Sequence, residues 1–419
     1  MKAEIISVGT ELLLGSTINT DAADVSKTLS EYGINVYWHT VVGDNPARVA
    51  DAVSRAMGRA DMIITTGGLG PTCDDLTKVA IADALGLPLV VSEEEEKWLK
   101  ELFAERGNEL TPNNFQQIEL PKGVVALRND WGTAPGCYLE HENVKLIMLP
   151  GPPRECREML EHRVRPILAK ISDGKIVSHT VNFFGIGESE MEQYLRADME
   201  SMQNPSLAPY AREGECYVRV TAKAETEEIA EEMIKPVISK VREKFGELAY
   251  GENSPSLAYW TLKLLKEQNK TLAAAESCTG GMLSELITDI PGASANFLGA
   301  AVVYTNDVKT KLLGIPEELI DNFGAVSEEV AAVMAMNVRE LLGSDYGIGI
   351  TGLAGPDGDG ENPVGTVFVA LASENSVYVR SLSLGGRDRR IIRLYSCQNA
   401  FDMLRRKLTD LRVEEVIKP

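Results

Sequence analysis

The sequence predicts a multidomain α/β protein. From residue 1 to about 170, and again after about 253, apolar strand-like runs alternate with helix-like segments, the pattern of a sheet covered by helices. The stretch between them has a different pattern, which is typical of an α+β unit. The chain has 419 residues, more than one hydrophobic core usually supports. We therefore predict domains at 1–170, 171–252 and 253–419.

In the first domain, the alternation predicts a parallel sheet with helices on both faces. The expected strands are AEIISVG, NVYWHTVVG, DMIITTGG and VKLIMLP. The expected helices are NTDAADVSKTLSEYG, NPARVADAVSRAMGRA, DDLTKVAIADALG and SEEEEKWLKELFAERG.

The middle segment predicts a small α+β unit. Its expected strands are VSHTVNFFGIG and ECYVRVTAKA, and its expected helices are ESEMEQYLRADMES and TEEIAEEMIKPVISKVREKFG. The turn-forming stretch GENSPS, residues 251–256, is expected to be the linker to the last domain.

The last domain predicts a second α/β sheet. Helices are expected in SLAYWTLKLLKEQ, GGMLSELITDI, near 307–313 and 327–342, and in an Arg-rich segment from about 388. Strands are expected in TLAAA, GAAVVYT, YGIGIT, GTVFVALAS and VYVRSLSL. The last three strands indicate an antiparallel portion, so we expect a mixed sheet.

Composition narrows the class of partner. Lys plus Arg is 42 and Asp plus Glu is 62, a formal charge of −20, which disfavours direct binding of nucleic acid or anionic membrane. No apolar run approaches the length of a membrane span, and the first residues lack a signal-peptide pattern. Six cysteines without a C-x-x-C pair fit reduced thiols. We expect a cytoplasmic protein.

The segment AAAESCTGG, residues 273–281, raises the question of a nucleophile. It places Ser277 and Cys278 between an expected strand and helix, where α/β sheets bind ligands. A nucleophile needs a base within reach. No histidine follows His179, which excludes a Ser-His-Asp triad within this domain and weakens a Cys-His pair. The alternative, in which a hydroxyl only caps the helix, stays open from the turn alone.

Lysines are the remaining bases. VVYTNDVKTKLLG carries Lys309 and Lys311. A lysine can act as base for a serine when burial or nearby positive charge lowers its pKa from about 10.4. The alternative is a solvated surface charge.

An arginine-rich segment, GGRDRRIIR, opens the final helix. Guanidinium groups bind phosphate bidentately, so these arginines are candidates for a substrate phosphate. The alternative is a surface run whose exposed ion pairs contribute little.

In the first domain, TTGGLGPTCDDLTKVA places Gly67, Gly68 and Gly70 after a strand and before a helix. Glycines there admit close approach of a phosphate or pterin. Asp74 and Asp75 follow, and acids beside a phosphate site indicate a metal or a general base. Helix capping by aspartate is the alternative.

The C-terminal motifs carry a family resemblance. AESCTGG, VVYTNDVK, GAVS, ITGLAGPDG and the Arg-rich helix resemble the C-terminal domain of the CinA family over about 160 residues. Stand-alone members of that family are nicotinamide mononucleotide deamidases of the PncC type. The resemblance implies Ser277 as nucleophile and Lys309 as base, with Tyr304 and Thr351 around the substrate, and it implies no metal or organic cofactor.

Further motif positions are implied as substrate contacts: Glu276, Cys278, Thr279, Gly280, Gly352, Arg387, Arg389 and Arg393. Family members read G-D-R with an Arg four residues later. Asp388, Arg389 and Arg393 fit that spacing best, and Arg387 stays an alternative because an extra glycine and arginine blur the register.

The N-terminal motifs carry a second resemblance. Together with the glycine-rich turn, GTELLLGSTINTDAADVSKTL, VVGDN and LPGPPRE resemble the three-layer MoaB/MogA-like molybdopterin-binding fold, closest to the CinA N-terminal domain. That domain is associated with metal-dependent ADP-ribose pyrophosphatase activity. The resemblance implies a divalent ion (cobalt, magnesium or manganese) and Asp75 as catalytic. The implied metal ligands are Glu11, Asp44, Asp74 and Asp75, and the implied substrate contacts are Gly67, Gly68, Gly70 and Thr72.

The middle segment resembles the KH-type unit of full-length CinA. Its GIGE, residues 185–188, is acidic where an RNA-gripping loop needs basic residues, which favours a spacer or dimer contact and a homodimer. The leading hypothesis is a bifunctional hydrolase that recycles pyridine nucleotides. The rivals are a molybdopterin-binding protein and a competence-related interaction protein.

Overall fold

A computed structural model of the chain describes residues 1–107, 109–172, 174–413 and 416–417. The chain forms two compact units, Met1–Ser178 with Ala222–Met233, and His179–Thr221 with Ile234–Pro419. None of the helices in these described ranges combines the length and hydropathy needed to cross a bilayer.

The first unit contains a six-stranded sheet. Its elements are β1 (Lys2–Val8), α1 (Thr10–Leu13), α2 (Thr20–Glu31), β2 (Asn35–Val42), α3 (Pro46–Met57), β3 (Met62–Thr66), α4 (Thr77–Leu85), β4 (Leu89–Val91), α5 (Glu93–Glu105), β5 (Glu119–Pro121), β6 (Val125–Leu127), β7 (Gly136–His141), β8 (Val144–Leu149), α6 (Pro153–Met159) and α7 (Arg165–Ile171). A 3-10 helix spans Pro112–Ile118, and a π-helical turn, Leu160–Val164, joins α6 to α7.

The sheet order is β2-β1-β3-β8-β7-β6. Strands β2, β1, β3 and β8 are parallel, as predicted, but β7 runs antiparallel to both β8 and β6. The four predicted strands are thus confirmed as parallel, and the sheet has two further strands, β6 and β7, that the sequence analysis did not predict. The β7–β8 hairpin turns through Glu142 and Asn143, both with positive φ, instead of the Asn-Gly or Asp-Gly that marks such turns in a sequence.

Both faces of this sheet are buried. Successive side chains of a strand point to opposite faces, so Ile5 and Ile6 of β1 enter two different cores. Ile6 packs in one cluster with Val53 of α3, and Ile5 packs in the other with Leu29 of α2. This is the layered arrangement that the alternation predicted.

The middle region forms a four-stranded sheet of order β10-β11-β9-β12. Its elements are β9 (Lys175–Phe183), α8 (Glu188–Ser201), β10 (Ser206–Arg212), β11 (Glu215–Ala224), α9 (Glu227–Phe245) and β12 (Ala249–Glu252). Strand β10 was not predicted; it is an edge strand containing Pro209, a residue that weakens a strand pattern but is tolerated at edges. The predicted linker begins inside β12.

The C-terminal region forms a second six-stranded sheet, order β14-β13-β15-β16-β17-β18. Its elements are α10 (Leu257–Glu267), β13 (Leu272–Glu276), α11 (Met282–Thr288), β14 (Phe297–Val302), α12 (Asn306–Leu313), α13 (Glu317–Phe323), α14 (Glu328–Leu342), β15 (Tyr346–Gly352), β16 (Thr366–Ala372), β17 (Val377–Ser383), α15 (Arg389–Leu408) and β18 (Val416–Ile417). Strands β14, β13 and β15 are parallel, and β15 to β18 are antiparallel to one another in turn. The predicted mixed sheet is confirmed.

The parallel strands fix where a site can form. Because β13, β14 and β15 run in the same direction, the residues that end them meet at one edge of the sheet. Those ends carry Ser277, Tyr304 and Thr351. Three segments that are distant in sequence thus converge.

Candidate active site

Ser277 and Lys309 form a buried pair. Ser277 directly follows β13, and its N–H donates to the carbonyl of Ile350 at 2.9 Å. Lys309 lies in α12, which Thr305 caps. The Nζ of Lys309 is 3.0 Å from the Oγ of Ser277, and the two residues are 2% and 7% exposed.

The environment favours a neutral amine. Burial lowers the pKa of Lys309 from its ordinary value of 10.5, and only the nearby Cys278 thiol opposes this shift. The other hydrogen-bond partner of Nζ is the carbonyl of Val303, at 3.1 Å. A neutral Nζ donates one hydrogen to that carbonyl and keeps its lone pair for the Ser277 hydroxyl. This is the arrangement that a serine nucleophile needs.

A cavity of about 260 Å³ opens over the pair. Predicted site residues on its wall are Ser277, Cys278, Tyr304, Lys309, Thr351, Gly352 and Arg389. The wall also contains Asn306, Ala325, Val326, Leu353, Ala354, Gly355 and Asp357, which the sequence analysis did not assign. Asn306 and Asp357 lie inside the motifs YTNDVK and ITGLAGPDG, so their place in those motifs was the available signal.

Glu276 does not reach the cavity. It is fully buried, and its carboxylate accepts the N–H groups of Gly281, Leu283 and Ser284, each at 3.0 Å. The predicted substrate contact is therefore corrected: this side chain caps α11 and neutralises the positive end of its dipole.

The same contacts limit which backbone N–H groups near Ser277 can bind an oxyanion. Glu276 occupies those at the start of α11, and the N–H of Gly280 donates to the Ser277 carbonyl. The N–H groups of Cys278 and Thr279 donate to no other residue in the described ranges. Of these two residues only Cys278 lines the cavity, so its amide is the remaining candidate for an oxyanion hole.

Cys278 lines the cavity as a protonated thiol. Burial raises its pKa to about 12, so the thiolate is scarce near neutral pH. Thr279 is fully buried and does not line the cavity. The environment favours Ser277 over Cys278 as the nucleophile.

The three arginines predicted to contact a phosphate lie at different places relative to the cavity. Arg389 lines the cavity, donating to the Tyr304 hydroxyl at 2.9 Å and to the Gly355 carbonyl. Arg393 donates instead to the Thr279 carbonyl, at 3.1 and 2.5 Å, and Arg387 stacks over the ring of Tyr395. Of the three predicted phosphate contacts, only Arg389 lines the cavity.

Thr351 lines the cavity and also holds two segments of its wall together. It is 1% exposed, and its hydroxyl donates to the Ala325 carbonyl at 2.7 Å. The bond ties the end of β15 to the segment before α14, which forms one wall of the cavity.

The N-terminal motifs surround a second cavity, of about 500 Å³. Its lining includes the predicted Glu11, Asp44, Gly67, Gly68, Gly70, Asp74 and Asp75. The predicted Thr72 lies beside it, with its hydroxyl and N–H bonded to Asp75 at 2.6 and 2.9 Å. A Cβ on Gly67 would stand 2.1 Å from the Val8 carbonyl oxygen, so only glycine fits this close turn.

The four acids do not form a complete metal site by themselves. Among the described residues, no three His, Cys, Asp or Glu side chains are grouped closely enough to hold an ion. Asp44 accepts the N–H of Thr10 at 2.8 Å, and Asp75 is bonded to Thr72. Magnesium commonly binds through one or two carboxylates plus substrate phosphates, and this all-oxygen set fits that mode.

Both cavities lie at the carboxyl ends of parallel strands, and one contains a buried Ser-Lys pair. These features define a multidomain α/β protein with a hydrolase-type site. Three family models match the chain: the probable molybdopterin binding domain over residues 4–170, the damage-inducible protein CinA KH domain over 178–251, and the CinA C-terminal domain over 255–408.

Full-length relatives extend this match. A CinA-like protein of Dictyoglomus thermophilum is 46% identical and covers 98% of this chain and 100% of its own length. A CinA-like protein of Desulfovibrio desulfuricans is 47% identical, covering 99% and 98%. The solved structure of the protein CinA from Thermoplasma acidophilum is 33% identical, covering 40% of this chain and 97% of its own, with a TM-score of 0.37. The chain belongs to the CinA family.

Proposed function

We propose that the C-terminal region hydrolyses the carboxamide of nicotinamide mononucleotide to nicotinic acid mononucleotide and ammonia. The observation that carries the proposal is the 3.0 Å contact between Lys309 Nζ and Ser277 Oγ inside a small cavity. The choice of substrate rests on the resemblance of the surrounding motifs to PncC-type deamidases.

The reaction takes two steps. Ser277 Oγ attacks the amide carbon while Lys309 takes the hydroxyl proton, and that proton passes to the leaving nitrogen as ammonia departs. The product of this step is an ester on Ser277. A water molecule then attacks the ester, Lys309 takes a proton from the water and returns one to Ser277, and the acid is released.

Two further groups support the substrate. The N–H group of Cys278, which lines the cavity, would stabilise the negative oxygen of each tetrahedral intermediate. The Arg389 guanidinium, which lines the cavity, would bind the phosphate.

Ammonia release from nicotinamide mononucleotide tests the assignment. We expect Ser277→Ala and Lys309→Ala to lose activity by about a thousandfold or more, because each removes a member of a cooperating pair. Cys278→Ala is the matched control on the adjacent cavity residue and should keep most activity. Loss in Cys278→Ala with Ser277→Ala still active would reverse the roles.

We also propose that the N-terminal cavity hydrolyses ADP-ribose to AMP and ribose 5-phosphate. Its glycine-rich turn would admit a pyrophosphate, and the acidic residues Asp44, Asp74 and Asp75 line the same cavity. A divalent ion bound by these acids together with the pyrophosphate would neutralise charge and activate water.

Metal-dependent formation of AMP from ADP-ribose tests this second site. We expect Asp75→Asn to suppress it and Asp83→Asn, an exposed acid on α4, to leave it unchanged. Turnover without added metal, or indifference to Asp75→Asn, would remove these aspartates from the reaction. The homodimer and the cytoplasmic location stay predictions from the sequence.

A further inference from the structure

We propose that Asp357 selects substrates whose carboxamide-bearing ring is positively charged. This inference rests on the proposed deamidase function and assigns the part of the cavity that recognises the ring. Nicotinamide mononucleotide carries a cationic pyridinium ring, whereas its reduced dihydro form carries a neutral one.

Asp357 is the acidic residue of the cavity lining. Of the described residues that line the cavity, it is the one acid, and it lies in the loop that follows β15. Its carboxylate makes no hydrogen bond or ion pair with any residue in the described ranges. A charged group without a partner beside a reaction cavity is available to a ligand.

A second aspartate in the same loop provides a contrast. Asp359 Oδ1 accepts the N–H groups of Glu361 and Asn362 at 3.0 and 2.6 Å. Those bonds to the loop backbone lower the pKa of Asp359. Asp359 therefore shapes the loop, while Asp357, two residues earlier, is exposed and belongs to the cavity lining.

The loop is anchored on both sides of the cavity. Gly365 donates to the Leu353 carbonyl at 2.7 Å and closes the base of the loop. Arg389 binds both the Gly355 carbonyl and the Tyr304 hydroxyl, which joins the loop to the opposite wall. Asp357 is two residues from this anchor, so its position relative to the cavity is restricted.

The charges of the cavity match those of the substrate. Apart from Lys309, the charged residues of the lining are Arg389, with one guanidinium, and Asp357, with one carboxylate. The substrate presents a phosphate and a pyridinium. Arg389 and Asp357 would therefore bind the two oppositely charged groups of the same molecule, and a neutral ring would gain nothing from Asp357.

The test compares nicotinamide mononucleotide with its reduced form in the wild type, Asp357→Asn and the control Glu361→Gln. We expect Asp357→Asn to lower kcat/KM for the cationic substrate about tenfold, through KM, and to change that for the reduced form less than twofold. The loss should shrink at high salt, because the contact is open to solvent. Glu361→Gln removes an acid of the same loop that does not line the cavity, and both values should stay unchanged.

Where the reduced form turns over slowly, its Ki as a competitive inhibitor gives the same comparison. Asp357→Glu should restore part of the preference, which a purely structural role would not explain. Equal losses on both nucleotides, or no loss on either, would overturn the inference.

Direct binding titration with both nucleotides distinguishes failure of the proposed deamidation from failure of the inference about Asp357. A wild-type protein that releases no ammonia but still binds the cationic form better, through Asp357, would overturn the proposed reaction alone. Ammonia release with no charge preference would overturn this inference alone.

Discussion

At the scale of single residues, Lys309 is the proposed base, and its surroundings favour the neutral amine that this role needs. Burial lowers its pKa. Among the described residues, the hydrogen-bond partners of its amine are the Ser277 hydroxyl and the Val303 carbonyl, and neither is a carboxylate or an imidazole. The neutral form increases as pH rises. The same burial makes the protonated form unfavourable, so the proposed role of the residue comes with a cost in stability.

The pH dependence of deamidation tests this reading of Lys309. We expect kcat/KM to rise with pH, with an apparent pKa below the ordinary 10.5 of lysine, because only the neutral amine accepts the serine proton. Lys309→Arg keeps the charge but cannot lose its proton, and should be inactive at every pH. Full activity in Lys309→Arg would contradict a role as base.

Asp21 offers a second prediction, on stability. It is 7% exposed, and burial together with the neighbouring Asp24 raises its pKa from 3.8 to about 6. Because the folded pKa exceeds the unfolded one, its contribution to stability is present below about pH 3.8 and is lost as pH rises through 6. The ionised side chain therefore destabilises the protein at pH 7.

We expect Asp21→Asn to raise the free energy of unfolding at pH 7 by about 1 to 2 kcal/mol, after allowing for solvent screening. The gain should disappear near pH 4. Denaturant unfolding followed by tryptophan fluorescence measures it, since Trp38, Trp98 and Trp131 lie in the same compact unit. An equal gain at both pH values would contradict the ionisation argument.

The sequence predicted the pair Ser277 and Lys309 but not the role of Glu276. Motif order identified the pair, and the absence of later histidines narrowed the choice of base. Whether a carboxylate faces a cavity or caps a helix depends on a side-chain direction that spacing does not specify. The choice among Arg387, Arg389 and Arg393 likewise needed the structure, because an extra turn residue changes which one points inward.

At the scale of elements, the packing of α14 on β15 depends on glycine. A Cβ on Gly349 would stand 2.4 Å from the Ala331 carbonyl oxygen, and one on Gly347 would stand 2.1 Å from that of Ala335. The helix backbone therefore lies directly against the strand. This contact fixes β15, whose end carries Thr351 and the wall of the cavity.

We expect Gly349→Ala to cost about 3 kcal/mol or more, since an added methyl group must displace helix backbone and not a flexible side chain. Gly187→Ala is the control, because a Cβ there meets nothing within 4 Å. Thermal unfolding of both variants, followed by circular dichroism, makes the comparison. Equal midpoints would show that the helix can move away without cost.

Element prediction was best for long, periodic segments and poorest at sheet edges. The helix ESEMEQYLRADMES coincides with α8, and ECYVRVTAKA coincides with β11. The short strands β4, β5 and β6 have three residues each, too few for an alternating pattern to be recognised. Their pairing comes from tertiary contacts, which local sequence does not record.

At the scale of the whole molecule, the residues of the two cavities belong to different compact units. Substitutions at sites without shared partners act independently. We expect Ser277→Ala to abolish ammonia release without changing AMP formation, and Asp75→Asn to do the reverse. Both assays are run on each full-length variant, and loss of both activities in either variant would indicate coupling between the sites.

Composition and strand–helix alternation predicted the fold class and argued against one class of partner, but they predicted little of the chemistry. A formal charge of −20 argues against direct nucleic-acid binding, and strand–helix alternation predicted the layered sheets. Neither property identifies a reaction. The site followed from three strand ends meeting at one edge, which requires the order β14-β13-β15 to be known.

The central claim is that the Ser277 hydroxyl, activated by Lys309, attacks a carboxamide. Rapid quenching of the wild-type enzyme with nicotinamide mononucleotide, followed by intact-mass and peptide analysis, tests it most directly. We predict one covalent adduct, equal in mass to the substrate less ammonia, on the peptide that contains Ser277, and none in Ser277→Ala. An adduct on Cys278, or undiminished ammonia release by Ser277→Ala, would contradict the account.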